Sequence, residues 1–174
     1  MSIIYFDELA STNAYAKENI DSLTDGTVIC AKRQNAGHGQ FGREWVDLGE
    51  GNLFASIVLK PSDMFKDEYS GLTLYAAQTL CKVLENYGLK PEIKLPNDIL
   101  INKKKVAGVL CETVSRGGKI KGLVLGVGVN LNANPADLLK IPGQPATALN
   151  IELNKTVNCN EFLNEFISRF SPCL

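Results

Sequence analysis

Downstream of Pro91 the chain keeps to a strand-like period. Segments 93–95, 99–101, 106–113 and 120–131 are rich in β-branched and aliphatic residues, and only turn chemistry separates them. Asn102-Lys103-Lys104 offers a hairpin tip between two of these runs. Immediately upstream, 68–87 carries Leu72, Ala76, Leu80, Val83, Leu84 and Tyr87 at helical spacing, Gly88 stands where a helix would stop, and Pro91 lies beyond it. Consecutive strands with helices inserted between them predict an α+β fold: a mixed β-sheet with helices packed on one face. The flanks extend the pattern. Segment 3–6 reads as a short strand, Ser11-Thr12-Asn13 supplies N-cap chemistry for a short helix, and 27–32 and 51–61 read as strands. The last helix is expected over 160–170, with Phe162, Leu163, Phe166, Ile167 and Phe170 on one face. With no repeats and no low-complexity linker, the 174 residues are read as one domain.

Composition narrows the function classes. Eighteen basic against nineteen acidic residues leave a net charge of −1, so no global field recruits nucleic acid, and polyanion chemistry has to be local. The five cysteines form no C-x-x-C pair and there is one histidine, His38, a pattern that argues against structural zinc and for reduced, mostly buried thiols. The N-terminus lacks the basic region and apolar stretch of a signal peptide, and no apolar run reaches transmembrane length. A soluble, cytoplasmic protein is the expectation, with no membrane partner.

Three segments carry chemistry. Gly37-x-Gly39-x-x-Gly42 matches a dinucleotide fingerprint by letter, but Arg43-Glu44-Trp45 and then a strand follow it, where the fingerprint needs a helix. Its bare backbone N–H groups could still cradle an anion, with Arg43 as a planar cation and Trp45, the only tryptophan, as a flat apolar surface. A plain surface loop anchored by Trp45 is the competing reading. Next, Lys94-Leu95-Pro96-Asn97-Asp98 places a bend between apolar strands, and Lys103-Lys104-Lys105 opens the strand VAGVLCE. Three lysines at a tip are ordinarily solvated. Lys105, at the strand's start, could instead be held by packing and stabilise negative charge, with Gly108 allowing close approach of a ligand. Lastly, Gly126-Val127-Gly128-Val129-Asn130 puts alternating glycines in a strand, leaving room beneath a ligand or marking a bulge or tight sheet packing.

Taken in order, Ser11-Thr12-Asn13, Gln34 with GHGQFGREW, GNLFAS, KLPNDIL, KKVAGVLCE and GVGVNLN resemble the biotin protein ligase family over most of 11–132. The resemblance implies a catalytic domain with a fold like class II aminoacyl-tRNA synthetases. It also implies a two-step reaction: biotin's carboxylate attacks the α-phosphate of ATP, accompanied by Mg²⁺, to give biotinyl-5′-adenylate and pyrophosphate. The biotinyl group then passes to a lysine of a biotin carboxyl carrier domain of the acetyl-CoA carboxylase type. By the same resemblance Ser11, Thr12, Asn13 and Gln34 would hold biotin, and Gly37, His38, Gly39 and Gln40 would close over it. Lys105 would bridge carboxylate and α-phosphate beside Gly108. Arg43 would meet phosphate, Trp45 would pack near adenine, Asn97 and Asp98 would position nucleotide and metal-linked groups, and Gly126, Gly128 and Asn130 would floor the adenylate pocket. Lys105 and Arg43 are the expected catalytic residues, and no tightly bound metal is expected.

The chain departs from the family pattern at His38 and Gln40, where the family carries arginines, and at Leu95, where it carries tryptophan. Loss of charge at Gln40 is expected to weaken retention of the adenylate. Neither the DNA-binding domain that precedes the catalytic part in some members nor the small C-terminal β domain is recognised in the sequence; a homodimer is left open. Two alternatives remain: a lipoate or octanoyl ligase or transferase of related fold, and a non-catalytic biotin- or nucleotide-binding module.

Overall fold

The structure, a computed structural model, describes residues 1–60 and 69–170. Pro61, Glu68 and Cys173, on which three of the sequence expectations fall, lie outside the described residues. The elements run β1 (Ile3–Leu9), α1 (Thr12–Glu18), β2 (Val28–Gln34), β3 (Leu53–Leu59), α2 (Tyr69–Asn86), β4 (Pro91–Lys94), β5 (Asp98–Ile101), β6 (Lys104–Arg116), β7 (Lys119–Val129), α3 (Pro135–Leu138), α4 (Leu149–Leu153) and α5 (Cys159–Arg169). The strands form one seven-stranded sheet in the order β1-β2-β3-β7-β6-β5-β4. Only β1 and β2 run parallel; every other neighbouring pair is antiparallel. This is the expected mixed α+β sheet.

The two long helices, α2 and α5, share one face of the sheet and bury Leu80, Leu84, Phe162 and Phe166 against Ala55, Ile57, Val109, Leu125 and Val127. The short α1 lies on the opposite face, where Ala16 packs with Ile29, Val58, Val114 and Val124. Cover on both sides follows from β3, whose seven residues are all buried, so neither of its faces can be left to water. Strand alternation sorts the central residues by parity. In β6, Ala107, Val109 and Cys111 face α2 and α5; Gly108, Leu110 and Glu112 face the other way. In β7, Leu125 and Val127 likewise join the main core while Gly126 and Gly128 face α1's side.

Local chemistry sets the element ends. The Ser11 hydroxyl accepts the Ala14 N–H and caps α1, and the Asn158 side chain accepts from Asn160 and Glu161 to cap α5. Gly88, at φ +81°, terminates α2, with the Leu89 N–H donated to the Leu84 carbonyl. The hairpin between β5 and β6 turns on Asn102 and Lys103 alone, both left-handed at φ 51° and 64°, so Lys104 belongs to the strand and not to the tip. The glycine loop makes a single 3-10 turn at Gln40–Gly42 and then runs on to β3 with no α-helix between, which removes a dinucleotide-binding reading. Sequence reading missed α3 and α4, both too short for their periodicity to register. Cys30, Cys81, Cys111 and Cys159 are free thiols. Burial pushes Cys30 up to about 12 and the other three up to about 11. Among the described residues no helix is long and apolar enough to cross a membrane.

Candidate active site

A cavity of about 320 Å³ opens on the α1 side of the sheet, between the glycine loop, the central strands and segment 141–144. Its floor is a consequence of register. Phe54, Gly128, Gly108 and Asp98 sit opposite one another across β3, β7, β6 and β5, and Ser56, Gly126 and Leu110 form the next row. The small residues in these rows leave the sheet concave where bulky neighbours would have filled it.

Protein side chains take up much of that space. A Cβ on Gly128 would lie 2.7 Å from Cε2 and Cζ2 of Trp45, and one on Gly108 would lie 2.9 Å from its Cζ3. The indole therefore rests flat on the paired glycines. A Cβ on Gly126 would fall 2.4 Å from Asn13 Oδ1. These glycines, expected to make room for a ligand, line the cavity and also seat Trp45 and Asn13, which line it in turn.

Lys105 is fixed from several directions. Its backbone N–H donates to the Pro145 carbonyl at 2.8 Å, and its carbonyl accepts the Thr147 N–H at 2.9 Å. Its ammonium lies 2.6 Å from Asp98 Oδ1 and 5.0 Å from the centre of the Trp45 ring. The side chain thus points into the cavity rather than into bulk water. Arg43 lines the mouth and packs its guanidinium over the exposed Phe41 ring, 5.8 Å to centroid. Asn97 is buried and donates its amide to the Val109 carbonyl at 2.9 Å, which holds the bend between β4 and β5 against β6.

The far end of the cavity is polar. Gln34 Oε1 accepts both the Thr12 N–H (2.7 Å) and a contact from the Thr12 hydroxyl (3.0 Å). The buried Ser56 hydroxyl lies 2.7 Å from Thr12 Oγ1 and 2.5 Å from Asn13 Oδ1. Asn13 Nδ2 donates to Glu112 at 2.8 Å, and Glu112 also receives the Lys17 ammonium at 2.7 Å. Burial would raise the Glu112 carboxyl, but bonds from Lys17 and Asn13, with the Lys17 and His38 charges, hold it below the usual carboxylate range. His38 Nε2, in the glycine loop, stands 3.6 Å from the same carboxylate.

The structure thus brings Ser11, Thr12, Asn13, Gln34, His38, Gly39, Gln40, Arg43, Trp45, Asn97, Asp98, Lys105, Gly108, Gly126 and Gly128 around one cavity. Two expected residues stand apart from its lining. Gly37 supports the loop from behind, its position pressed against Gln34 Nε2 and the Trp45 carbonyl. Asn130 is buried and donates its amide to the Thr147 carbonyl at 3.0 Å, so it braces the segment that clamps Lys105 and does not floor the pocket. Sequence reasoning assigned no role to Ser56, Glu112 or segment 141–144. The first two were discoverable, since strand alternation puts Ser56 beside Phe54 and Glu112 beside Gly108 on the cavity face. Among the described residues no three His, Cys, Asp or Glu side chains converge as a metal site.

Comparison with known proteins agrees with this geometry. The model of the biotin/lipoate A/B protein ligase family matches residues 5–130. The chain is 35% identical over 137 residues to the bifunctional ligase/repressor BirA of Bacillus subtilis, covering 78% of this chain and 42% of that protein. It is 32% identical over 164 residues to the biotin–[acetyl-CoA-carboxylase] ligase of Paracoccus denitrificans, covering 92% of this chain and 68% of the relative. Among solved structures, Aquifex aeolicus biotin protein ligase in complex with biotin and ATP superposes with a TM-score of 0.82 at 30% identity, over 97% of this chain and 68% of that one. The Helicobacter pylori biotin acetyl coenzyme A carboxylase synthetase with bound biotinylated ATP gives a TM-score of 0.74 at 26% identity, over 97% and 72%.

Proposed function

The chain belongs to the biotin/lipoate A/B protein ligase family, and from that premise we propose that it activates biotin with ATP and passes the biotinyl group to a lysine of a carrier domain. The observation that carries this reading is a cavity that joins a polar far end, an ammonium at Lys105 and an aromatic wall at Trp45. Biotin has the matching parts: a hydrogen-bonding ureido ring, an apolar chain and a carboxylate. A lipoyl or octanoyl group brings no hydrogen-bonding head group to the polar end of the cavity formed by Thr12, Gln34 and Asn13, and would desolvate that end without compensation.

In the proposed chemistry, the carboxylate oxygen of biotin attacks the α-phosphorus of ATP and pyrophosphate leaves. Two anions must meet, and Lys105 between them offsets their repulsion as charge develops on the pentavalent centre. Backbone bonds to Pro145 and Thr147 fix the start of β6, and Asp98 holds the ammonium before the ligands arrive, so little reorganisation is needed during reaction. Arg43 at the mouth would take phosphate charge, Trp45 would face the adenine, and the glycine loop would cover the adenylate against water. Mg²⁺ would enter as the counter-ion of ATP, with Asp98 the carboxylate placed to meet it. In the second step the carrier lysine attacks the mixed anhydride carbonyl, forming the amide and releasing AMP.

Purified protein supplied with biotin and ATP–Mg²⁺ is expected to release pyrophosphate, with no release when lipoate replaces biotin. Release with lipoate alone would overturn the reading.

A further inference from the structure

Strict strand alternation would send Lys105 to the opposite side of the sheet from the cavity. Gly108 faces the cavity and Ala107 the helices, so an unbroken pleat would turn Val106 to the cavity and Lys105 toward α2 and α5. Instead Val106 and Ala107 are both fully buried in the helix-side core. Lys105 lines the cavity, its Cε 3.3 Å from where a Cβ on Gly108 would lie. The register gives the reason. Asp98 and Ile99 pair with Gly108 and Ala107, whereas Leu100 and Ile101 pair with Lys105 and Lys104, so β6 carries one extra residue, Val106, against β5. This β-bulge re-aims the lysine.

A bulge disrupts the ladder, and here segment 145–147 supports the strand where the register changes. The pairing of β7 with β6 reaches Val129 opposite Ala107, and the Asn130 N–H then meets the Val106 carbonyl at 2.8 Å. At the next residue both backbone groups of Lys105 turn to the segment, which bridges it in parallel at Ala146 and bonds it through Pro145 and Thr147. The segment is in turn fastened by a carboxylate. Glu152 of α4 accepts the hydroxyl of the buried Thr147 at 2.6 Å and the amide of Asn102, in the β5–β6 turn, at 2.8 Å. Bonds to an ionised acceptor are the stronger kind, and the one from Thr147 is the better shielded of the two.

We propose that Thr147 and Glu152 are positioning residues for the activation step, which together hold the bulge at Val106 and so keep Lys105 on the cavity face. The inference rests on the biotin reading above and deepens it, because in that reading Lys105 offsets the repulsion between carboxylate and α-phosphate. Neither residue lines the cavity; both act through the start of β6. With the fastening gone, β6 is free to relax toward a regular pleat, which turns Lys105 away from the reacting atoms.

Thr147→Val is the test, since it keeps the shape of a buried side chain and removes its bond to Glu152. It is expected to slow biotin-dependent pyrophosphate exchange at saturating substrates by about 10–100-fold, the effect of misplacing a catalytic group. Biotin affinity, read from the fluorescence of Trp45, should change by less than about threefold, a split that places the loss in the chemical step. Thr147→Ser, which keeps the hydroxyl, should recover most of the rate. Glu152→Ala should show the same loss, and the double variant should be no slower than the slower single, because the two act through one bond. In a Lys105→Ala background Thr147→Val should slow the residual exchange no further, whereas a general loosening of the fold would slow both backgrounds alike. If Thr147→Val does not fold, Glu152→Ala, at a half-buried position, carries the same comparison. A folded Thr147→Val or Glu152→Ala with the wild-type rate, or one equally slowed with and without Lys105, would overturn the proposal. A wild type that exchanges no pyrophosphate in the presence of biotin would instead overturn the reading on which it rests.

Discussion

Replacing Gly126 with alanine tests whether the central glycines exist to seat protein side chains. Its backbone is not left-handed, so alanine meets no conformational objection, and in an ordinary strand the change would be favourable by about 0.5–1 kcal/mol. Here the new Cβ would lie 2.4 Å from Asn13 Oδ1, 2.9 Å from its Cγ and 3.0 Å from its Nδ2. Non-bonded heavy atoms prefer roughly 3.5 Å, so the amide has to retreat by about 1 Å. It cannot do so freely, being bonded to Ser56 at 2.5 Å and to Glu112 at 2.8 Å. Breaking the neutral bond costs about 1 kcal/mol and the charge-assisted one about 1.5–3, which leaves a net loss of roughly 2–3 kcal/mol after alanine's own gain. Expressed as biotin affinity this is on the order of 30–150-fold, and any part not expressed there should appear as a melting temperature lowered by several degrees. Trp45 fluorescence titration and thermal unfolding measure the two. Unchanged affinity together with an unchanged melting temperature would refute the seating argument.

The remaining predictions address charge and pH. Lys105→Ala should slow biotin-dependent pyrophosphate exchange by about 10²–10³, the effect of losing one preorganised charge contact; an unchanged rate would remove Lys105 from its role. Gln40→Arg should lengthen the half-life of enzyme-bound biotinyl-adenylate, measured by release of labelled adenylate after a gel-filtration spin, whereas an unchanged half-life would mean that the loop holds its ligand through its backbone alone. The thiols predict an alkaline limit on stability. Cys30 is pushed up to about 12 and Cys81, Cys111 and Cys159 to about 11, from 9.0 in the unfolded chain. The native state therefore holds more protons above pH 9: their contribution is intact below that pH and lost progressively as pH rises toward 11–12. Urea unfolding at pH 8, 10 and 11 should show midpoints falling in that order, and a flat series would contradict the burial argument.

The elements legible in the sequence were those with enough residues to show a period. The α2 helix and its Gly88 stop, the four strands after Pro91 and the aromatic face of α5 were readable because each spans several turns or pleats. The short α3 and α4 helices were not, and neither was the placement of α1 opposite the long helices, since a seven-residue helix does not declare which side of a sheet it will cover. Lys105 was readable because it stands at a strand start with a glycine three residues on. The segment that clamps its backbone was not, because Pro145 and Thr147 lie about forty residues further along and meet β6 only through the tertiary fold.

What sequence could not supply was the direction in which the glycines work. A run of alternating glycines says that something comes close to the strand without saying what. Register decides it: Gly128 and Gly108 are direct partners, so their combined gap has the breadth of an indole, and Gly126 faces Leu110, so its gap is narrower and admits only an amide. The cavity is therefore lined not by the strands alone but also by the two side chains the sheet is hollowed to receive, one aromatic and one polar. Asn13 fills the narrower hollow and is held by Glu112 two residues beyond Leu110 on the same face, so the strand that opens the hollow also carries the charge that orients its occupant. Shape and hydrogen-bond polarity at the head of the cavity are in that sense set by one strand register, and a shift of β6 by a single residue would remove both together by turning Gly108 and Glu112 into the helical core.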